Sequence, residues 1–396
     1  MNQSHDPIVV VSARRTPIGA FQGVLAPLST TEIAAEAIKA ALADSKVAGE
    51  DVGEVLMGCV LPAGLGQAPA RQAALKAGLP ISTGATTLNK VCGSGMKAIM
   101  FGHDMIAAGS AEVIVAGGME SMSNAPYLLP KARQGYRMGH QRVLDHMFYD
   151  GLQNPADGEM MGNFGELCAD KYGFTREDQD EFAIESTKRA RAANENGAFD
   201  DEITPVTVKT RKSEDTVDKD EEPFKLDIAK IPKLKPAFRR EGGTVTAASS
   251  SSISDGAAAV VLMRASEAEK RGLTPLARIV AHGGFAHEPE WFTTAPIGAV
   301  KKLQDKLGWA PDNVDLYEIN EAFAAVAMAA MHDLKLDRDQ LNVNGGACAL
   351  GHPIGCSGAR ILVTLIHALR ARGGKRGIAS LCLGGGEATA IAVETV

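Results

Sequence analysis

Two cysteines, a histidine and an asparagine stand in this chain where the backbone must turn sharply, a setting suited to nucleophilic catalysis by a thiol. Cys92 lies in Leu88-Asn89-Lys90-Val91-Cys92-Gly93-Ser94-Gly95, where an extended segment (86–91) meets a helix beginning near Ser94. Unpaired N–H groups and the dipole at a helix start stabilise a thiolate, and strand-to-helix turns can carry a nucleophile. A buried cysteine at a tight turn would produce the same segment, so both readings stay open. His352, in Gly351-His352-Pro353-Ile354-Gly355-Cys356-Ser357, sits on a glycine loop before a second helix. An imidazole held there can serve a thiol as general base. Cys348, His352 and Cys356 are spaced four apart, but the intervening Gly351, Pro353 and Gly355 break the helix that would align them, so no metal is expected. Asn320 and Glu321 follow an apolar strand; they either cap the next helix or position a water or an oxyanion. Cys382, in Cys382-Leu383-Gly384-Gly385-Gly386, ends a buried strand at the usual ligand crevice of an open sheet.

The elements that must position these residues follow an α/β pattern. Apolar runs at 8–13, 54–58, 113–118 and 256–263 read as buried strands, with helices from Thr30, an N-cap candidate, and from about Ser94. Strands alternating with helices predict a mostly parallel sheet. The order then recurs at 277–281, 316–319 and 379–382. Ser94-Gly95-Met96-Lys97-Ala98-Ile99-Met100 matches Ser357-Gly358-Ala359-Arg360-Ile361-Leu362-Val363, and Gly117-Gly118-Met119-Glu120 matches Gly384-Gly385-Gly386-Glu387. The repeated order indicates an internal duplication. Between the halves a charged stretch predicts an inserted subdomain, whose basic blocks are solvated faces or contacts for an anionic ligand.

Of the 396 residues, 45% are hydrophobic and 22% charged, which suits a large packed core. The 42 glycines exceed the usual share of about 7% and mark places where backbone approaches backbone or ligand. A net charge of −7 opposes binding to nucleic acid or anionic membrane. No apolar run is long enough to span a bilayer, the Met1–Asp6 start lacks a leader's basic flank, and the six spread cysteines do not form a disulfide pattern. A cytoplasmic protein with reduced thiols is expected.

Taken together, Asn89-x-x-Cys92-x-Ser94-Gly95, Asn320-Glu321-Ala322-Phe323, Gly351-His352-Pro353 and Cys382-x-Gly384-Gly385-Gly386 resemble the thiolase family, in its order and spacing, over essentially the whole chain. The biosynthetic members, which join two acetyl-CoA into acetoacetyl-CoA and CoA, are the most similar. The resemblance implies a duplicated five-layered α/β/α/β/α fold: an N-terminal half (1–122 plus 253–275), an inserted loop domain (123–252) for CoA and oligomer contacts, and a C-terminal half (276–396). It also implies a dimer or a dimer of dimers, with the homotetramer the expectation, and no cofactor beyond the CoA thioesters themselves.

The resemblance makes Cys92 the acetyl-accepting nucleophile and His352 its activator. With a water held by Asn320, His352 would also form an oxyanion hole. Cys382 would take the α-proton of the second acetyl-CoA, and the N–H groups of Cys92 and Gly384 would hold the acyl oxygen. CoA would lie near Leu152, Met161, Phe238, Ala247 and Ser251, with Ala322 and Phe323 at its pantetheine end. The chain departs from the family pattern at Ala247-Ala248-Ser249-Ser250-Ser251, Met160-Met161-Gly162, Ala388 and Phe292, the last expected near the acyl group. A degradative 3-ketoacyl-CoA thiolase for longer chains would use the same residues. A non-catalytic acyl-CoA-binding relative would have lost one of them, and a nicotinamide-dependent oxidoreductase would need a glycine fingerprint that the sequence lacks.

Overall fold

The computed structural model describes residues 6–396; Met1–His5, part of the start read for a leader and of the first span, lie outside them. The main strands are β1 (Ile8–Arg15), β2 (Glu54–Gly58), β3 (Gly84–Leu88), β4 (Val113–Ser121), β5 (Ser254–Arg264), β6 (Ala277–Ala286), β7 (Leu316–Ile319), β8 (Arg376–Leu383) and β9 (Glu387–Thr395). They pair in the order β3-β2-β4-β5-β1 and then β6-β9-β8-β7. The two sets touch edge to edge through Val9 with Arg278 and Val10 with Ala277. Each set has the same plan: a parallel pair (β2–β4, β7–β8), then antiparallel neighbours. Leu341 bridges Tyr317 in parallel, occupying in the second set the place that β3 holds in the first. The duplication read from sequence is therefore a duplication of topology.

The sheet is mixed rather than mostly parallel. The expectation failed because a continuous apolar strand reports burial on both faces, not strand direction. Both faces are covered here. Along β4, Val113 and Val115 point to one core while Ile114 and Ala116 point to another; along β9, Ala390 and Ala392 separate in the same way from Ile391 and Val393. The outer cores lie under α1 (Thr30–Ser45) and α2 (Pro69–Lys76) on one side, and under α6 (Ala295–Leu307) and α7 (Ala324–Leu334) on the other. The middle core holds Ile99 and Met100 of α3 (Ser94–Ala107) together with Ile361, Leu362 and Leu365 of α8 (Ser357–Arg372). Three cores between five layers give the α/β/α/β/α architecture. Helix α1 is capped by Ser29, not Thr30: its hydroxyl accepts the Glu32 N–H while the Glu32 carboxylate accepts the Ser29 N–H.

Where α3 and α8 begin, the backbones nearly touch. A Cβ on Gly95 would lie 2.9 Å from the Ala359 nitrogen, one on Gly358 2.5 Å from the Met96 nitrogen, and one on Gly118 2.1 Å from the Gly355 carbonyl oxygen. Only glycine allows that approach. The segment between β4 and β5 forms the insertion, with α4 (Met161–Tyr172) and α5 (Arg176–Glu195). It is anchored to β1 by the buried Arg15, whose guanidinium donates to Glu202 at 2.5 Å and to Asp220 at 2.7 Å. Breaking such a buried pair from one side typically costs about 3–5 kcal/mol.

Gly118→Val is expected to lower the chemical-denaturation midpoint by an amount equivalent to at least about 1–3 kcal/mol. At Gly283 an added Cβ meets only Leu303 at 3.6 Å, so Gly283→Ala is expected to stay within about 0.5 kcal/mol. Equal midpoints for the two variants would contradict this account of the crossing.

Candidate active site

Cys92 occupies the turn between β3 and α3. Val91, a β-branched residue, has a φ of +47°, a left-handed conformation worth about 1–3 kcal/mol of strain. Its neighbours hold it there: the Asn89 side-chain Oδ1 accepts the Val91 N–H at 2.8 Å, and Ser94 Oγ accepts the Lys90 N–H at 2.8 Å while donating to the Val91 carbonyl at 2.6 Å. The result turns the sulfur of this half-buried residue towards the hairpin between β8 and β9. The N–H groups of Gly384 and of Cys92 itself face that sulfur, but burial outweighs them and the thiol is pushed up to about 11. Cys382, at the end of β8, is buried and its thiol too is held well above its ordinary value, by burial and then by the nearby Cys92 sulfur. Lys90 pairs with Glu387, tying the Cys92 turn to the same hairpin.

His352 lies on the loop before α8. Its Nδ1 is 2.6 Å from Ser357 Oγ, and that hydroxyl donates to the Pro353 carbonyl at 3.0 Å. A hydroxyl has one proton to give, so Nδ1 carries the ring hydrogen and Nε2 keeps its lone pair. Nε2 is buried without a hydrogen-bond partner among the described residues. Burial, reinforced by the Arg360 guanidinium, depresses His352 to about 3, which keeps it neutral through the physiological range. Asn320 Nδ2 stands 3.5 Å from His352 Nδ1, and its Oδ1 stands 3.5 Å from an Arg360 nitrogen. Glu321 points elsewhere: it accepts from Ser186, Asn342 and the Cys348 N–H, pinning α5 and the glycine loop to the end of β7. Cys348, His352 and Cys356 do not converge as metal ligands among the described residues.

A cavity of about 220 Å³ opens onto His352, lined by Leu152, Met161, Phe238, Ser251 and Phe323, with Met160 and Ile354. Five of the seven residues read as CoA contacts therefore share one wall. Ala247 is exposed beside it, and Ala322 is buried behind it, its carbonyl accepting the Ser251 N–H at 3.0 Å. Gly384 approaches this wall, with Met161 Sδ 3.7 Å from where its Cβ would be. Phe292 does not line the cavity; it is buried in the outer core, edge-on to Phe164. The family pattern puts this position near the acyl group, and its short helical turn (Pro289–Thr294) sets the ring in the apolar cluster that also holds Cys382. The Ser-rich stretch is fixed by its own hydroxyls, with Ser249 Oγ accepting the Thr246 N–H at 2.8 Å. The basic blocks of the insertion form local surface pairs such as Lys209–Glu214 and Lys230–Asp227. A larger cavity, about 620 Å³ against Phe182, Met328 and Arg338, has no cysteine or histidine in its lining.

The description "Thiolase, N-terminal domain" matches residues 8–266, and "Thiolase, C-terminal domain" matches residues 273–395. The chain belongs to the thiolase family. It is 49% identical over 389 residues to the acetyl-CoA acetyltransferase of Cupriavidus necator, covering 98% of this chain and 99% of that one. It is 51% identical to acetyl-CoA acetyltransferase 2 of Arabidopsis thaliana over 98% of this chain and 96% of the other. The acetyl-CoA acetyltransferase of Bacillus anthracis superposes with a TM-score of 0.96 at 42% identity, covering 99% of each chain. The Acat5 thiolase of Ascaris suum, crystallised with coenzyme A, gives 0.93 at 41%, covering 98% of this chain and all of that one. No helix among the described residues is long and apolar enough to cross a membrane.

Two groups in this thiolase escaped the sequence reading. Glu120 is fully buried at the end of β4, where it accepts N–H groups from Val60 (2.9 Å), Leu61 (3.2 Å) and Gly355 (3.0 Å) and the Cys59 thiol at 3.4 Å. Burial raises it to about 7 against those donors. Arg360, within α8, reaches both Glu318 (3.5 Å) and Asn320. The available signal in each case was a charge inside an otherwise apolar element, Gly117-Gly118-Met119-Glu120 and Gly358-Ala359-Arg360-Ile361.

With the Cys92 thiol raised and His352 neutral, the resting pair is uncharged. Alkylation of Cys92 by iodoacetamide in the free enzyme is therefore expected to accelerate steadily from pH 6 to 9, followed by mass spectrometry of the Cys92 peptide. A rate already level below pH 7 would instead indicate a preformed thiolate–imidazolium pair.

Proposed function

We propose that this thiolase is an acetyl-CoA acetyltransferase that joins two acetyl-CoA into acetoacetyl-CoA and CoA, and runs the reverse thiolysis, through an acetylated Cys92. What supports the reading is that Cys92, Cys382 and the Gly384 N–H approach one another, that Gly384 comes against Met161 of an apolar cavity, and that His352, whose Nε2 has no partner among the described residues, lines that cavity. In the first step the Cys92 sulfur attacks the thioester carbonyl, and its proton passes to His352 Nε2. The C–S bond to CoA breaks, and the departing sulfur takes its proton from Cys382. The N–H groups of Cys92 and Gly384 hold the oxygen that becomes negative as the carbonyl turns tetrahedral; one such donor is worth about 10²–10³ in rate.

In the second step the Cys382 thiolate removes an α-proton from the next acetyl-CoA. The enolate oxygen is stabilised by the His352 Nε2–H and by a water held by Asn320. The enolate carbon attacks the acetyl-Cys92 carbonyl, a C–C bond forms, and the Cys92 sulfur leaves and recovers its proton from His352. Every proton is accounted for, and the three groups return to their resting states without a further cofactor. Their shifted protonation supports the scheme: an imidazolium costly in the empty site becomes favourable only when negative charge develops beside it, which is stabilisation specific to the transition state.

The CoA chain would follow the wall formed by Leu152, Met161, Phe238, Ser251 and Phe323, with Ala247 at its rim and Ala322 behind. We read 1–122 with 253–275 and 276–396 as the two halves and 123–252 as the loop domain carrying that wall. The loop domain also exposes Tyr127, Leu129 and Met138, apolar side chains that contact between subunits would cover, in keeping with a cytoplasmic homotetramer.

Cys92→Ser is expected to lose thiolysis of acetoacetyl-CoA by about 10³-fold or more, and Asn320→Ala about 10²-fold, each followed by loss of the magnesium–enolate absorbance. Across a series from acetoacetyl-CoA to C16 3-ketoacyl-CoA, kcat/KM should be greatest at the shortest chain; a maximum at C8–C16 would replace this reading with the degradative one. Light scattering on an eluting gel-filtration peak should give a mass four times that of the chain.

A further inference from the structure

Away from the thiols, three potential metal ligands converge on the joint between the halves. His103 and Asp104 lie in the last turn of α3, and His282 lies on β6. His282 Nε2 is 3.1 Å from His103 Nδ1 and 2.9 Å from Asp104 Oδ1, and His103 Nδ1 is 3.1 Å from Asp104 Oδ1. Two imidazole nitrogens and a carboxylate oxygen thus form a nearly equilateral triangle. Ligands about 2.1 Å from one ion stand about 3.0 Å apart at octahedral angles and about 3.4 Å apart at tetrahedral ones. The observed edges match the octahedral face.

The setting also suits a cation. The ammonium of Lys97, whose charge reaches His282, is seated over the Phe101 ring, 4.5 Å from its centroid. The rings of His103 and His282 stand edge to face at 83°, which lets two nitrogens approach one point without stacking. Both imidazoles are only partly buried and the carboxylate is exposed, so an ion can enter from solvent. Nitrogen ligands with a single carboxylate favour first-row transition ions over magnesium or calcium.

We propose that His103, Asp104 and His282 bind a divalent transition-metal ion, represented by Zn²⁺, that cross-links α3 of the first half to β6 of the second. Two ligands are adjacent in sequence and the third is far along the chain, so motif spacing offers no sign of the site. The ion would sit at the far end of the helix whose start carries Cys92, where it braces the joint without touching the reacting atoms.

The test uses full-length enzyme dialysed against chelator and titrated with Zn²⁺ by calorimetry. The expected result is one ion per chain, with affinity weakened at least tenfold in His103→Ala and in His282→Ala while both variants retain acetoacetyl-CoA thiolysis. Titration of the unaltered enzyme with Co²⁺ provides an independent readout. Weak d–d bands without thiolate charge transfer support the site even if the variants fail to fold. Unchanged Zn²⁺ affinity in folded variants, thiolate-type cobalt bands alone, or no uptake by the unaltered enzyme would overturn it.

Discussion

The structure depends on the crossing of two helix starts. Helices α3 and α8 bring their first turns together at Gly95 and Gly358, and the adjoining strand end and loop meet at Gly118 and Gly355. A methyl group at any of these positions would lie inside van der Waals contact with the opposite segment and force the halves apart. That separation would part Cys92, delivered by the first half, from His352 and Cys382, delivered by the second. Glu120 reinforces the contact from beneath by gathering N–H groups from the loop after β2 and from the His352 loop. The glycine excess is largely the cost of this proximity.

Close packing also sets the chemistry of the site. Excluding water pushes both thiols up and the imidazole down, so the free enzyme holds neutral groups that would develop charge together in the proposed reaction. Donors fixed by the fold, the Gly384 N–H among them, need no reorganisation as that charge appears. The pairing of Arg360 with Glu318 and its reach to Asn320 place a permanent positive charge behind His352. This same charge helps keep the imidazole unprotonated at rest.

Much of the architecture was legible because burial leaves a strong trace in residue type. Strands β2 and β7 and the start of α8 occur where the apolar runs place them. Strand direction was not legible, since a strand covered on both faces is apolar whichever way its neighbours run. Glu120 and Arg360 were visible as charges in apolar elements, but their partners come from segments far away in sequence.

By itself, the sequence determined the duplicated α/β plan and the family, and it singled out Cys92, Asn320, His352 and Cys382, the residues on which the proposed mechanism rests. Local spacing of glycine, cysteine and histidine is preserved in the linear chain, as is the repeat of one half in the other. Only the tertiary structure decided the tautomer of His352, the neutral resting state of the thiols, the wall of the cavity and the meeting of His103 and Asp104 with His282. Those properties depend on distances and dielectric surroundings created when segments hundreds of residues apart pack together, and no local pattern encodes them.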